Sequence, residues 1–129
     1  MRFKYIFIVV SILTIFTSCI KEEGFGGLAT ISGKVYAYDY NNSGVLIAEG
    51  YTGDIDVYIR AKGSNVELNR IRTTYDGTFA FKQLRKGDYE VWVYSDCAKC
   101  PNGIEPIIQS VTLSDKKENL ELSVFEVNI

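Results

Sequence analysis

Residues 73–91 read TTYDGTFAFKQLRKGDYEV and carry the strongest strand and turn signals in the sequence. The dipeptide Asp76-Gly77 favours a tight hairpin turn, because glycine readily adopts the positive φ that such turns need. Apolar Phe79 and Phe81 then alternate with polar residues, which is the period of a strand with one buried face. After a second turn, residues 89–94 alternate in the same way. The stretch therefore predicts short strands joined by tight turns.

The same alternation continues on both sides of this stretch, and no segment shows a sustained helical period. Besides 78–82 and 89–94, we predict strands at 30–38, 54–61, 66–74, 107–113 and 120–127, with a short edge strand at 45–48. The apolar parity slips near Val124 and Phe125, which indicates a bulge or a change of buried face. About seven short strands with frequent turns predict an all-β antiparallel two-sheet sandwich, like an immunoglobulin domain, over residues 29–129.

Composition excludes several kinds of function. The chain has 129 residues, enough for one domain, and contains no histidine. Catalysis by Ser-His-Asp or Cys-His groups and metal sites with histidine ligands are therefore excluded. With 14 basic and 16 acidic side chains, the net charge of −2 gives no reason to bind nucleic acid. No nucleophile–base pair or phosphate loop is present, so we predict a non-catalytic protein without a cofactor or metal.

The first 18 residues have the composition of a signal peptide. Arg2 and Lys4 precede an uncharged apolar segment at 5–18, which at ~1.5 Å per residue is too short to span a bilayer. Its last residues, Thr17-Ser18 before Cys19, resemble the lipobox of bacterial lipoproteins. That resemblance implies cleavage before Cys19, acylation of its sulfur and amino group, and a membrane anchor. The alternative is an ordinary secretory signal in which Cys19 is incidental.

Residues 20–23, IKEE, resemble the surface-export signal of lipoproteins from the Bacteroidetes phylum. The resemblance implies an outer-membrane lipoprotein exposed on the cell surface. A solvated, charged tether is the alternative explanation. Glycines at 24, 26 and 27 favour flexibility, so we expect residues 19–28 to form the lipidated cysteine and a flexible tether.

The central block also resembles the carboxypeptidase regulatory-like family, whose pattern is G-x-V followed by T-x-x-D-G-x-F-x-F-x-x-L-x-x-G-x-Y-x-V. The matching residues are Gly33, Val35, Thr73, Asp76, Gly77, Phe79, Phe81, Leu84, Gly87, Tyr89 and Val91. The resemblance implies a transthyretin-like sandwich and a non-catalytic role in binding, spacing or folding support.

Two local motifs have alternative explanations. Cys97 and Cys100 are spaced C-x-x-C and are expected to form a loop disulfide in an oxidising compartment. A thiol-redox pair or a metal site are alternatives, but the following Pro101-Asn102-Gly103 predicts a turn rather than the helix that would stabilise a thiolate. Residues 39–44, DYNNSG, resemble half of a calcium loop but lack the glutamate at position twelve, so we predict a polar loop.

Five aromatic residues fall on the outward parity of their strands: Tyr36, Tyr38, Tyr58, Trp92 and Tyr94. If these strands are neighbours, the side chains form a patch that could bind a glycan or a protein partner. The alternative is that tyrosine simply suits half-buried sheet positions. The resulting functional hypotheses are a binding or adhesion accessory, a structural subunit of an envelope assembly, and a thiol-redox protein.

Overall fold

A computed structural model describes residues 22–129, so the predicted signal peptide and Cys19 lie outside the described residues. Within this range the chain is all-β and forms nine strands rather than about seven. The strands are β1 (Phe25–Tyr40), β2 (Leu46–Tyr51), β3 (Asp56–Ala61), β4 (Glu67–Arg72), β5 (Thr78–Leu84), β6 (Gly87–Asp96), β7 (Ile104–Leu113), β8 (Asn119–Glu121) and β9 (Phe125–Asn128). Within this range there is no helix long and apolar enough to cross a bilayer.

The strands form two sheets. In the first sheet, the long β1 is central and pairs with β2 and β5 antiparallel and with β8 and β9 parallel. The second sheet is antiparallel in the order β4-β3-β6-β7. The predicted all-β sandwich is therefore confirmed, and its sheets are mainly antiparallel, with β8 and β9 pairing parallel to β1. After β7 the chain crosses to the first sheet and runs alongside β1 in the same direction, which makes those pairs parallel.

The core lies between the sheets and contains the side chains that the alternation predicted as inward. Ile31 and Val35 on β1, and Val57 and Ile59 on β3, are fully buried. The predicted strand 120–127 is interrupted at Leu122–Val124, and β9 resumes with the buried Phe125. The parity slip near Val124 was thus correctly read as an irregularity in the strand.

The turn at Asp76-Gly77 is tight, but it does not close a hairpin. It joins β4 of the second sheet to β5 of the first. Gly77 has a φ of 78°, whereas Asp76 is not among the residues with positive φ. The Asp76 carboxylate instead accepts hydrogen bonds from the hydroxyls of Thr74 and Thr78 at 2.5 and 2.7 Å. These bonds lower the pKa of Asp76 to about 2.

The glycines expected to make a flexible tether lie instead at the start of β1. The N–H of Gly24 donates to the Tyr89 hydroxyl at 2.9 Å, and its carbonyl accepts from the N–H of Arg85 at 2.9 Å. A Cβ at Gly27 would collide with the backbone of Leu84. Glycine is therefore needed here for close approach of β1 to β5 rather than for flexibility. Residues 25–28 belong to the folded sandwich.

Candidate functional site

Aromatic side chains cover the centre of the outer face of the second sheet. The antiparallel register places Tyr58 of β3 directly opposite Trp92 of β6. Their rings are stacked, with centroids 5.3 Å apart and planes inclined by 12°. Tyr94, two residues further along β6, packs edge-on against Tyr58 at 5.5 Å. Direct cross-strand and diagonal pairs of this kind stabilise a sheet face.

A cation and its counter-ion fix one side of this stack. The Arg60 guanidinium lies over the Trp92 ring, 5.1 Å from its centroid. The Arg60 Nε also pairs with the Glu90 carboxylate at 2.6 Å. Trp92 points outward as predicted, but only 9% of its surface is exposed because Tyr58 and Arg60 cover it. The accessible apolar surface comes instead from Tyr94 and from Ile108 of β7, which are 42% and 46% exposed.

We call Tyr58, Arg60, Trp92, Tyr94 and Ile108 the second-sheet aromatic face. A second ion pair, between Arg72 Nε and Asp56 Oδ1 at 3.0 Å, lies on the neighbouring strands. Chemically, this face offers apolar ring surface beside charged hydrogen-bonding groups, held in place by stacking rather than by flexible loops.

Tyr36 and Tyr38 lie on a different surface. Both belong to β1 of the first sheet, where Tyr36 packs edge-on against Tyr51 of β2 at 5.1 Å and is 5.2 Å from Tyr38. The hydroxyl of Tyr38 donates to Glu126 Oε1 at 3.3 Å. Desolvation, followed by the nearby glutamates, raises the pKa of both phenols, so they are neutral at physiological pH.

The five predicted aromatic residues therefore do not form one patch. Their strands lie in two sheets, and outward side chains of opposing sheets point away from each other. Sequence analysis also missed Tyr51, which lies beyond the edge strand predicted at 45–48, and Arg60. The outward alternation of Arg60 with Tyr58 was the signal that could have identified it.

The predicted disulfide between Cys97 and Cys100 is formed. It closes a turn in which the N–H of Cys100 donates to the carbonyl of Cys97 at 3.1 Å. Glu105 lies close enough to complete a three-ligand group with the two sulfurs. In the disulfide both sulfurs are bonded to each other, so neither is available as a thiolate ligand.

The loop after β1 has its own internal hydrogen bonds. The side-chain oxygen of Asn41 accepts from the N–H groups of Ser43 and Val45, each at 2.9 Å. Such bonds are typical of a polar turn and are consistent with the absence of a complete calcium motif.

Fold and surface together define an all-β two-sheet sandwich with an aromatic outer face. No family model matches the chain, and no curated protein is significantly similar to it. It is similar in structure to a "putative carbohydrate binding protein" from Pseudomonas aeruginosa, with a TM-score of 0.48 and 15% identity, over 75% of this chain and 88% of that chain. It is also similar to an (S)-allantoin synthase, with a TM-score of 0.41 and 7% identity.

The second similarity covers 74% of this chain but spans only 41% of the synthase. At these identities and TM-scores, neither similarity identifies a ligand or a reaction for this chain. The resemblances to lipoproteins and to the carboxypeptidase regulatory-like family stay predictions.

Proposed function

We propose that this chain is a non-catalytic, lipid-anchored binding module that recognises a glycan or a protein through its second-sheet aromatic face. The observation that carries the proposal is the stack of Tyr58 on Trp92 beneath Arg60. Side chains that are already fixed lose little conformational entropy when a ligand binds. Less of the favourable contact energy is therefore offset, and the ligand binds more tightly.

The composition of the face suits saccharides and polar protein surfaces. Exposed Tyr94 and Ile108 provide apolar contact, and Arg72 and Asp56 provide hydrogen-bonding groups at the edge. Aromatic residues surrounded by polar groups are typical of energetic hot spots.

Binding can be tested with the purified full chain on a glycan array and by pull-down from envelope extracts. We expect Tyr94→Ala to weaken binding at least about fivefold, because hot-spot side chains contribute more than ~1 kcal/mol. Tyr75→Ala is the matched control, since Tyr75 is 92% exposed at the turn between the sheets. Equal binding by both variants would contradict a role for this face.

Anchoring is supported by the sequence around Cys19. Labelling of intact cells with palmitate should mark the wild-type chain and not a Cys19→Ser variant, since acylation requires the sulfur. Protease treatment of whole cells then distinguishes the cell surface from the periplasmic side of the outer membrane. An unlabelled wild-type chain would refute the anchor while leaving the binding test intact.

A structural role in an envelope assembly is the second candidate, favoured by the free edge of β2. Among described residues β2 pairs only with β1, and Val45, Leu46, Ile47 and Tyr51 are all at least 42% exposed. Exposed apolar edge strands readily pair with other strands. A stoichiometric partner that is lost in Ile47→Lys but retained in Tyr94→Ala would favour this role.

The thiol-redox alternative has less support. The Cys97–Cys100 pair lies in a turn, and no helix follows it in the described part of the chain. Helix N-termini are what lower thiol pKa values in enzymes of this kind. Turnover of a dithiol substrate that is abolished by Cys97→Ser would restore the alternative.

A further inference from the structure

One end of the sandwich contains a cavity whose charged side chains are all cationic. It lies where β1 begins and has a volume of about 260 Å³. Its lining residues are Gly26, Gly27, Leu28, Arg85, Lys86 and Lys116. We call the end formed by residues 22–28, 85–86 and 114–118 the anchor end. A small concave site with converging positive charges is suited to an anion.

The three cations have no carboxylate partner within residues 22–129. The ion pairs in that range are elsewhere, on the second sheet. Arg85 is held in place because its Nη1 donates to the carbonyl of Glu22 at 3.4 Å. Among residues 22–129, no carboxylate forms an ion pair with it.

Two glutamates at the anchor end, Glu23 and Glu118, accept hydrogen bonds from backbone N–H groups. The carboxylate of Glu118 accepts from the N–H groups of Ser114 and Asp115 at 2.7 and 3.2 Å. The carboxylate of Glu23 accepts from the N–H of Asp88 at 3.4 Å. These bonds hold both carboxylates against the backbone, and neither glutamate is among the residues that line the cavity.

The apolar side chain of Leu28 lines the same cavity, and Phe25 lies three residues before it in β1. Leu28 is 65% exposed and Phe25 is 38% exposed, although both belong to β1. Cations next to exposed apolar side chains are the combination found at protein surfaces that lie in the headgroup layer of a membrane.

The covalent distance to the proposed lipid is short. Cys19 is three residues before Glu22, and an extended chain spans at most ~3.6 Å per residue, or about 11 Å in total. The headgroup layer is itself roughly 5–8 Å thick. An acylated Cys19 therefore keeps Arg85, which bonds to Glu22, close enough to the bilayer to reach the headgroups.

We propose that the cationic cavity at the anchor end binds the phosphate of a membrane phospholipid headgroup and holds the sandwich against the bilayer. The inference rests on the acylation of Cys19 in the proposed function. Two contacts with the bilayer, the acyl chains and the cavity, would then fix the orientation of the domain. A domain attached only by a flexible tether would be free to reorient.

The test uses the full chain, expressed with its leader and reconstituted in phosphatidylcholine and phosphatidylglycerol vesicles. An environment-sensitive fluorophore is placed on Leu28→Cys or, at the opposite end, on Asn42→Cys, and a headgroup-labelled lipid is the quencher. We expect several-fold stronger quenching at position 28. Lys86→Gln with Lys116→Gln should reduce that quenching, and the matched pair Lys82→Gln with Lys99→Gln should not.

Equal quenching at positions 28 and 42, or no effect of changing Lys86 and Lys116, would overturn the inference. The comparison between positions 28 and 42 is valid however the chain is attached to the vesicle. The mass of the protein in the same preparation shows separately whether Cys19 is acylated. A cleaved chain without acyl groups is also compared by co-sedimentation with the vesicles. We expect the variant with Lys86→Gln and Lys116→Gln to bind the vesicles about 30-fold more weakly, because each lysine contributes about fivefold to binding. Equal binding by the variant and the wild type would refute headgroup binding by the cavity.

Discussion

Gly33→Ala should destabilise the sandwich, although alanine normally suits a strand better than glycine. Gly33 of β1 lies opposite Phe79 of β5, and both face the core. A Cβ built on Gly33 would lie 2.6 Å from Cζ and 2.9 Å from Cε1 of the Phe79 ring. The ring cannot move away freely, because it packs against Phe81 and Phe125 with centroids 6.0 Å away in each case.

The magnitude follows from two opposing effects. Overpacking a core typically costs 1–3 kcal/mol, whereas replacing a strand glycine by alanine returns roughly 0.5–1 kcal/mol of backbone entropy. We therefore expect a net loss of about 1–2 kcal/mol in the free energy of unfolding. Urea denaturation of the wild type and the variant measures this difference.

A double-mutant cycle with Phe79→Leu isolates the steric cause. Leucine is shorter than phenylalanine and leaves room for the new methyl group, so the two changes together should cost about 1 kcal/mol less than the sum of the single changes. Additive effects, or a Gly33→Ala variant as stable as the wild type, would refute the claim that the glycine exists to accommodate the ring.

Further predictions concern single contacts. Tyr89→Phe should cost about 1–3 kcal/mol in unfolding free energy, because it leaves buried polar groups such as the Gly24 N–H without a partner; a change within error would contradict this. The pKa of Asp76 is lowered in the folded state, so the unfolded state binds more protons below pH 4. The free energy of unfolding should therefore fall between about pH 4 and pH 2, and it should fall less steeply in Asp76→Asn. Denaturation at several pH values measures this difference. Arg60→Ala should expose Trp92, the single tryptophan, and increase acrylamide quenching of its fluorescence; unchanged quenching would show that Arg60 does not cover the ring.

Much of the core was predictable because strand alternation is a local signal. Phe79 and Phe81 follow the period of two and are buried, whereas Leu84 is buried three residues after Phe81, beyond the positive φ of 60° at Gln83. The motif that resembles a known family therefore coincides with packing and turn positions. Gly33 belongs to the motif because a neighbouring phenylalanine ring leaves no room for a side chain. Gly77 belongs to it because its positive φ disfavours other residues.

Sheet membership could not be predicted, because it depends on pairing between distant segments. Nothing local distinguishes a turn that closes a hairpin from one that crosses between sheets, so Asp76-Gly77 was assigned wrongly. The parallel pairing of β8 and β9 with β1 was missed for the same reason. Gly27 was misread because composition does not distinguish a flexible tether from a strand that needs close backbone approach.

The aromatic surface was predicted in its members but not in its arrangement. Alternation placed Tyr58, Trp92 and Tyr94 outward, and the register brings these three together. It could not show that Tyr36 lies on the opposite sheet, or that a cation would cover the tryptophan. Exposure is a property of neighbouring side chains, and those neighbours come from other strands.

Strand direction relates the two proposed contacts to each other. β6 begins with Gly87 at the anchor end, and Tyr94 lies seven residues further along, which at ~3.3 Å per residue is about 23 Å away. That distance exceeds the roughly 5–8 Å of the headgroup layer. A chain anchored through Cys19 would thus hold Tyr94 clear of the lipid while Arg85 stays at its surface. Changes at Lys86 and Lys116 should consequently leave ligand affinity intact, and Tyr94→Ala should leave headgroup contact intact; a variant that loses both would show that the two surfaces are not independent.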